Sequence, residues 1–299
     1  MNALAPLQEG DLVYLCAPAK AIEEPYIIAA ENWLQSIGLR ALRSPHLLGR
    51  AHYFSGTILE RLSDLQEGLD HAEVKAIWCV RGGYGSVQLV DGLQWASFLK
   101  EPKWIIGFSD ICVLHHRAQA LGLPSIHATM ALNLEKNTAA AKETLAALLL
   151  GKEIRYQSAI MPENKLGRAT GTLIGGNLSI IYSLLGTPDA YNFSGAILVI
   201  EDLAEHLYHI DRMLHALRKQ GALEKINGLI VGGMTDLEDT DIPFGLTLPE
   251  LILSHFTYKN IPICFDFPSG HIDDNQALLF GAEVELRVEE NQVSLTYIK

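Results

Sequence analysis

A serine, a histidine, a carboxylate and a glycine-rich loop are the residues of this chain whose types and placement suit acyl-transfer chemistry. Ser109 follows the apolar run Trp104-Ile105-Ile106-Gly107 and precedes the helical stretch 111–121, so it occupies a tight strand-to-helix turn. Such a turn lifts a hydroxyl out of a sheet edge and leaves the next N–H, here that of Asp110, available to an oxyanion. Ile111 stands where a nucleophile elbow usually has a second glycine, and a serine in this place also serves as an ordinary helix cap. Asp110 suits a first helical turn, where a carboxylate meets the positive end of the helix dipole.

A serine hydroxyl near neutral pH needs an adjacent base, and the base needs a third group to fix its tautomer. Among eleven histidines, His271 stands out because Pro268-Ser269-Gly270 precedes it at the end of an apolar strand. A loop there can aim a ring into a cleft. Glu201 ends the apolar run 196–200 just before a helix, which makes it either a helix-capping acid or an orienting acid. His127 closes another strand and is a second candidate base, whereas His115 and His116 lie too far along their helix to reach back to Ser109. His206, His209 and His215 fall off the apolar stripe of their helix and read as a solvated face. With Asp202 and Asp211 they would bind a metal only if a second cluster completed the site.

Arg81-Gly82-Gly83-Tyr84-Gly85 follows a strand and precedes a helix, where backbone N–H groups meet anions. The continuation Ser86-Val87-Gln88 lacks the third glycine of a dinucleotide fingerprint, and no Gly-Lys-Ser/Thr ending marks a P-loop. The loop therefore reads as a contributor to an oxyanion hole beside Ser109, or as a close turn with no ligand. A nucleotide-dependent enzyme and a two-lobed small-ligand binding protein are the competing readings.

The elements that must hold these residues alternate. Apolar runs at 12–16, 39–42, 74–80, 104–107 and 125–128 read as strands, and stretches 24–37, 58–69, 86–99 and 111–121 as helices. That predicts an α/β fold whose amino-terminal half is a doubly wound, mostly parallel, flavodoxin-like sheet with ligands at the carboxyl ends of its strands. A helix over 139–150 closes this first domain, 1–151. A polar linker, 152–168, leads to a second, mixed-sheet α/β domain over 169–299. Its expected strands are 172–176, 196–200, 226–231 and 261–267, with a long helix whose stripe includes Leu203, Leu207, Ile210, Leu214 and Leu217. The alternation of Val284, Leu286 and Val288 with Val293, Leu295 and Tyr297 predicts an antiparallel hairpin.

The net charge of −12 gives no electrostatic footprint for nucleic acid. Cys16, Cys79, Cys112 and Cys264 are scattered through apolar runs, as buried thiols in a reducing compartment would be. With no basic leader before Lys20, a cytoplasmic protein is expected. The uncharged run 169–188 contains too many glycines and changes period midway, which suits a strand, turn and helix rather than a membrane span.

Taken together, the early Ala17-Pro18, Arg81-Gly82-Gly83-Tyr84-Gly85, Gly107-Phe108-Ser109-Asp110, Gly175-Gly176-Asn177, Ile200-Glu201-Asp202 and Gly270-His271 resemble the serine peptidases that include bacterial L,D-carboxypeptidases and microcin-immunity hydrolases. The resemblance runs almost end to end. It implies a triad of Ser109, Glu201 and His271, with the nucleophile on the first domain and its partners on the second. It also implies an oxyanion hole from the amides of Gly82, Gly83 and Asp110, no metal or cofactor, and a homodimer. Its substrate would be a small muropeptide losing a terminal D-alanine, or a peptide–nucleotide conjugate in the immunity branch. The absence of tryptophan from the acidic loop 235–244 favours the muropeptide. Arg81 is the candidate for recognising the substrate carboxylate.

Overall fold

The computed structural model describes residues 4–298. The chain forms two compact units: one takes the chain through Glu153 together with Asp273–Leu279, the other Ile154–Ile272 together with the chain from Phe280 onward. Among the described residues, no helix is long and apolar enough to cross a membrane.

In the first unit, β1 (Leu12–Cys16), β2 (Arg40–Arg43), β3 (Val74–Cys79), β4 (Trp104–Gly107) and β5 (Ser125–His127) pair in the order 5-4-3-1-2. All four pairings are parallel. This is the flavodoxin-like order, and the strand order reverses between β1 and β3. Helices α1 (Glu24–Ser36), α2 (Ile58–Asp70), α3 (Ala96–Lys100), α4 (Cys112–Ala120) and α5 (Ala139–Leu149) complete the unit. Both β1 and β4 are buried along their whole length, which explains why they read as continuous apolar runs rather than alternating ones. Thr57 starts α2 with a reciprocal capping box to Glu60.

The predicted helix over 86–99 is replaced by two 3-10 turns, Ser86–Gln88 and Val90–Gly92, followed by the short α3. At Gly92 the chain packs close on α2, since a Cβ there would lie 3.2 Å from Leu62 Cδ2, and it leaves helical geometry at Leu93.

The second unit opens with β6 (Arg155–Ser158), inside the stretch read as a linker, and the long β7 (Gly167–Asn177). After α6 (Leu178–Ser183) come β8 (Ile197–Leu203), α7 (Leu207–Lys219), α8 (Ala222–Lys225), β9 (Gly228–Thr235), α9 (Leu248–Ser254) and β10 (Ile263–Cys264). The strand β11 (Leu278–Phe280) joins the first sheet beside β5, and β12 (Glu283–Val288) and β13 (Val293–Tyr297) form the expected hairpin. The second sheet runs 10-9-8-7-12-13-6. Its β7-to-β10 half is parallel and the remainder antiparallel. The apolar faces of α6, α7 and α9 cover it through Ile181, Ile210, Leu214, Leu217, Leu251 and Ile252. Leu203, counted into the stripe of α7, instead ends β8. The expected strand over 261–267 shrinks to β10 because Asp266 turns the chain at φ +54°.

Candidate active site

Ser109 sits immediately beyond β4 with φ +63°, a left-handed backbone conformation that non-glycine residues rarely adopt. It begins a 3-10 turn, Ser109–Ile111, that runs into α4. The residue capping this turn is Phe108 and that capping α4 is Ile111, so Ser109 is not a helix cap. Gly107 permits the turn, since a Cβ there would meet Ile111 Cγ2 at 2.8 Å. His115 holds the strand end from below: its ring nitrogens lie 2.9 Å from the Gly107 carbonyl oxygen and 2.9 Å from Ser125 Oγ. Burial, followed by the charge of nearby His127, pushes its pKa down to about 3, so it is a neutral strut.

The loop after β3 closes over this turn. A Cβ on Gly82 would lie 3.2 Å from Ser109 Oγ and 3.4 Å from the Asp110 amide nitrogen. Gly83 and Gly85 have φ +112° and +141°, conformations open to glycine. Asp110 does more than face a helix dipole. Its buried carboxylate accepts a hydrogen bond of 2.8 Å from the Ser86 N–H, tying the glycine loop to the serine turn. Burial raises its pKa, opposed by bonds from Ser86 and Gly85 and by the charge of Arg61. Arg61 was invisible as a functional residue in sequence, lying in an ordinary amphipathic helix. Buried in the structure, it donates to the carbonyls of Gly56, Pro18 and Gly85 and to Gln88, clamping the loops together. Arg81, the expected carboxylate ligand, donates from Nη1 to the Ala21 carbonyl at 2.5 Å.

In the second unit Glu201 lies within β8 and is fully buried. The helix-capping alternative for it fails, because α7 begins six residues later with His206 as its cap. Opposite Glu201 the pairing with β9 slips by one residue, so Gly232 and Gly233 face a single position. Glycines make room for the carboxylate: a Cβ on Gly270 would stand 2.6 Å from Glu201 Cβ and 2.9 Å from its Oε2. Into this cradle His271 brings Nδ1 to 2.5 Å from Glu201 Oε2. Burial by itself lowers the His271 pKa. The charge of Glu201, its hydrogen bond and the charge of Asp202 outweigh that, and the net shift is upward. Asp202, weighed in the sequence only as a conditional metal ligand and as part of the Ile200-Glu201-Asp202 motif, faces the other way: it accepts from Asn177 Nδ2 at 2.8 Å and from the Ser179 N–H and hydroxyl at 2.9 Å. Its signal was the Gly-Gly-Asn turn ending β7, which aligns Asn177 beside Glu201.

His127 is buried in β5 with its ring 5.9 Å from that of Phe108. His209 pairs with Glu205 at 2.7 Å and His206 with Glu238 at 3.6 Å. Asp211, His215 and His255 place ligand atoms within 4.8 Å of one another and could hold a metal ion. The 2.9 Å bond between His255 Nε2 and Asp211 already accounts for their proximity. The four cysteines are buried free thiols.

Comparison with known proteins places these features in context. The sequence profile of the LD-carboxypeptidase N-terminal domain matches residues 13–128, and that of the LD-carboxypeptidase C-terminal domain matches residues 170–286. The murein tetrapeptide carboxypeptidase of Pseudomonas aeruginosa is 33% identical, the alignment spanning 90% of this chain and 91% of that protein. The microcin C7 self-immunity protein of Escherichia coli is 25% identical over 98% and 95% of the two chains. The crystal structure of muramoyltetrapeptide carboxypeptidase from Oxalobacter formigenes superposes with a TM-score of 0.87 at 24% identity, covering 96% of this chain and 99% of that one.

Proposed function

Because this chain belongs to the LD-carboxypeptidase family of serine peptidases, we propose that it removes the terminal D-alanine of murein tetrapeptides through Ser109, His271 and Glu201. The observation that carries this reading is the backbone of Ser109, a strained serine at a strand-to-helix turn beneath a glycine loop. Strain of this kind persists where surrounding structure enforces it, and it aims the side chain.

In the proposed reaction Ser109 Oγ attacks the carbonyl of the diaminopimelate–D-alanine bond while His271 takes the hydroxyl proton. With its Nδ1–H donating to Glu201, His271 has Nε2 as its basic nitrogen. Glu201 stays ionised, fixing the ring and stabilising the imidazolium. The carbonyl oxygen gains negative charge and takes hydrogen bonds from the amides of Asp110 and of the Gly82–Gly83 loop. The C–N bond then breaks, His271 returns the proton to the departing D-alanine nitrogen, and an acyl-Ser109 ester remains. Water, deprotonated by His271, hydrolyses that ester to release the tripeptide. This chemistry requires Ser109 Oγ and His271 to approach within about 2.6–3.2 Å. Cytoplasmic residence and a homodimer belong to the same reading, the latter to be tested by sedimentation.

The test is incubation with L-Ala-D-Glu-meso-diaminopimelate-D-Ala, wild type and Ser109→Ala in parallel, followed by mass spectrometry. Tripeptide and free D-alanine from the wild type alone are expected. Release of neither, together with hydrolysis of a peptide–nucleotide conjugate, would move the protein to the immunity branch.

A further inference from the structure

We propose that Lys20 binds the terminal carboxylate of the substrate, the role the sequence suggested for Arg81; the inference rests on the peptidase reading above. In a doubly wound sheet, ligands bind where the strand order reverses, beyond the carboxyl ends of the strands. Here that point lies between β1 and β3. The loops leaving those two strands carry Lys20 and Gly82–Gly83 respectively.

The two loops touch. The Lys20 N–H donates to the Gly82 carbonyl at 3.4 Å, and a Cβ on Gly83 would lie 3.1 Å from Lys20 Cβ. The same loop passes against Ser109 Oγ at Gly82, one residue away. Lys20 is held in place by its backbone: it bridges to Phe54, the Ala21 N–H donates to the Tyr53 carbonyl at 3.3 Å, and the Ser55 N–H donates to the Ala19 carbonyl at 3.1 Å. Its ammonium lies 4.9 Å from the centre of the Tyr53 ring.

Partners separate Lys20 from the other cations of this region. Arg61 is buried and spends its donors on three carbonyls and a glutamine. Arg81 turns inward to Ala21. Lys20 is half-buried, and among the described residues its ammonium has an aromatic face beside it but neither an acid nor a carbonyl partner. In a chain of net charge −12 such a cation is conspicuous. An ammonium beside an oxyanion loop suits a leaving group whose reacting nitrogen and carboxylate share one carbon, as they do in D-alanine.

The carboxylate is present before and during reaction, so its loss raises KM more than it lowers kcat. A charge-assisted bond of this kind is worth roughly 10–100-fold. The experiment compares the tetrapeptide ending in D-alanine with one ending in D-alaninamide, using wild type, Lys20→Met and Lys20→Arg. Calorimetric binding of both peptides to Ser109→Ala and to Ser109→Ala/Lys20→Met runs in parallel. The wild type should prefer the acid by about 10–100-fold in KM. Lys20→Met should abolish that preference and Lys20→Arg should restore part of it. A preference that survives in Lys20→Met overturns the assignment and returns it to another cation. If the wild type turns over neither peptide yet Ser109→Ala binds the acid tighter through Lys20, the hydrolytic reading falls and the carboxylate site stands. Equal binding of acid and amide by Ser109→Ala overturns the site whatever the turnover.

Discussion

Ser109 is held by its backbone, His271 by its side chain. In the first unit the hydroxyl proposed as nucleophile is aimed by its own left-handed backbone just beyond β4, with Gly107 and Gly82 removing the bulk that would block it. In the second unit the backbone stays extended through Glu201, and a buried carboxylate in a cradle of glycines fixes the imidazole through one 2.5 Å contact. Conformational strain therefore sits on the proposed nucleophile and electrostatic cost on its proposed base. The first cost is local and indifferent to pH. The second depends on protonation, because removing either partner leaves the other buried and uncompensated.

The contrast is broken most severely at the two functional groups. Ser109→Ala should lower turnover by about 10⁴-fold or more while leaving the fold intact, as measured by single-turnover kinetics alongside circular dichroism. Glu201→Gln should cost a similar factor, about 10⁴, by releasing the His271 tautomer. The pH profiles should then separate. The proposed mechanism uses His271 as the free base, and its pKa lies above the ordinary 6.5, so wild-type kcat/KM should climb with a midpoint above that value. In Glu201→Gln the midpoint should fall, because burial remains and the opposing charge is gone. A midpoint that does not move would detach Glu201 from the base.

Stability carries the same signature with a definite sign. A raised histidine pKa means that the folded state binds the proton more tightly than the unfolded state. The stabilisation is complete below about pH 6.5 and is lost as pH rises through the folded value. The unfolding free energy of wild type relative to His271→Asn should shrink across that window in urea titrations. Gly270→Ala attacks the dyad from the backbone side. At φ +105°, with its new methyl 2.6 Å from Glu201 Cβ, it should destabilise the fold by about 3 kcal/mol. The low-field NMR signal expected of a proton in the 2.5 Å His271 Nδ1–Glu201 Oε2 contact should be present in the wild type and lost in this variant.

How far these sites were legible follows from how local their causes are. The strand-to-helix step at Ser109 is written in contiguous residues, an apolar run closed by Gly107, and the sequence conveys it. Glu201 was legible as a strand-end acid, yet β8 continues to Leu203 because the bulge across from it is made by Gly232 and Gly233, more than thirty positions away. Asp110 looked like a dipole-facing acid until Ser86 came into hydrogen-bond range through the fold. Lys20 gave no signal because its meaning comes from Gly83, Tyr53 and the strand reversal, none of them its neighbours in sequence. Residues 273–279 rejoin the first unit from far along the chain, and no local composition announces such a return.

The smallest expected effect tests the backbone half of the comparison alone. Ser109→Ala and Ser109→Gly both delete the hydroxyl, so both should be inactive, and neither keeps side-chain chemistry that would confuse a stability measurement. They differ in what φ +63° costs. Alanine retains the left-handed penalty, whereas glycine visits that region freely and relieves it. Against this, glycine gains more entropy in the unfolded chain, which offsets part of the relief. With a strain of about 1–3 kcal/mol and an entropic offset of about 0.4–1 kcal/mol, Ser109→Gly should come out more stable than Ser109→Ala by about 1 kcal/mol. Chemical denaturation of the two variants reads that difference directly. If alanine proves the more stable, the turn is not strained, and the positioning of Ser109 has to be sought in its side-chain contacts with the Gly82 loop.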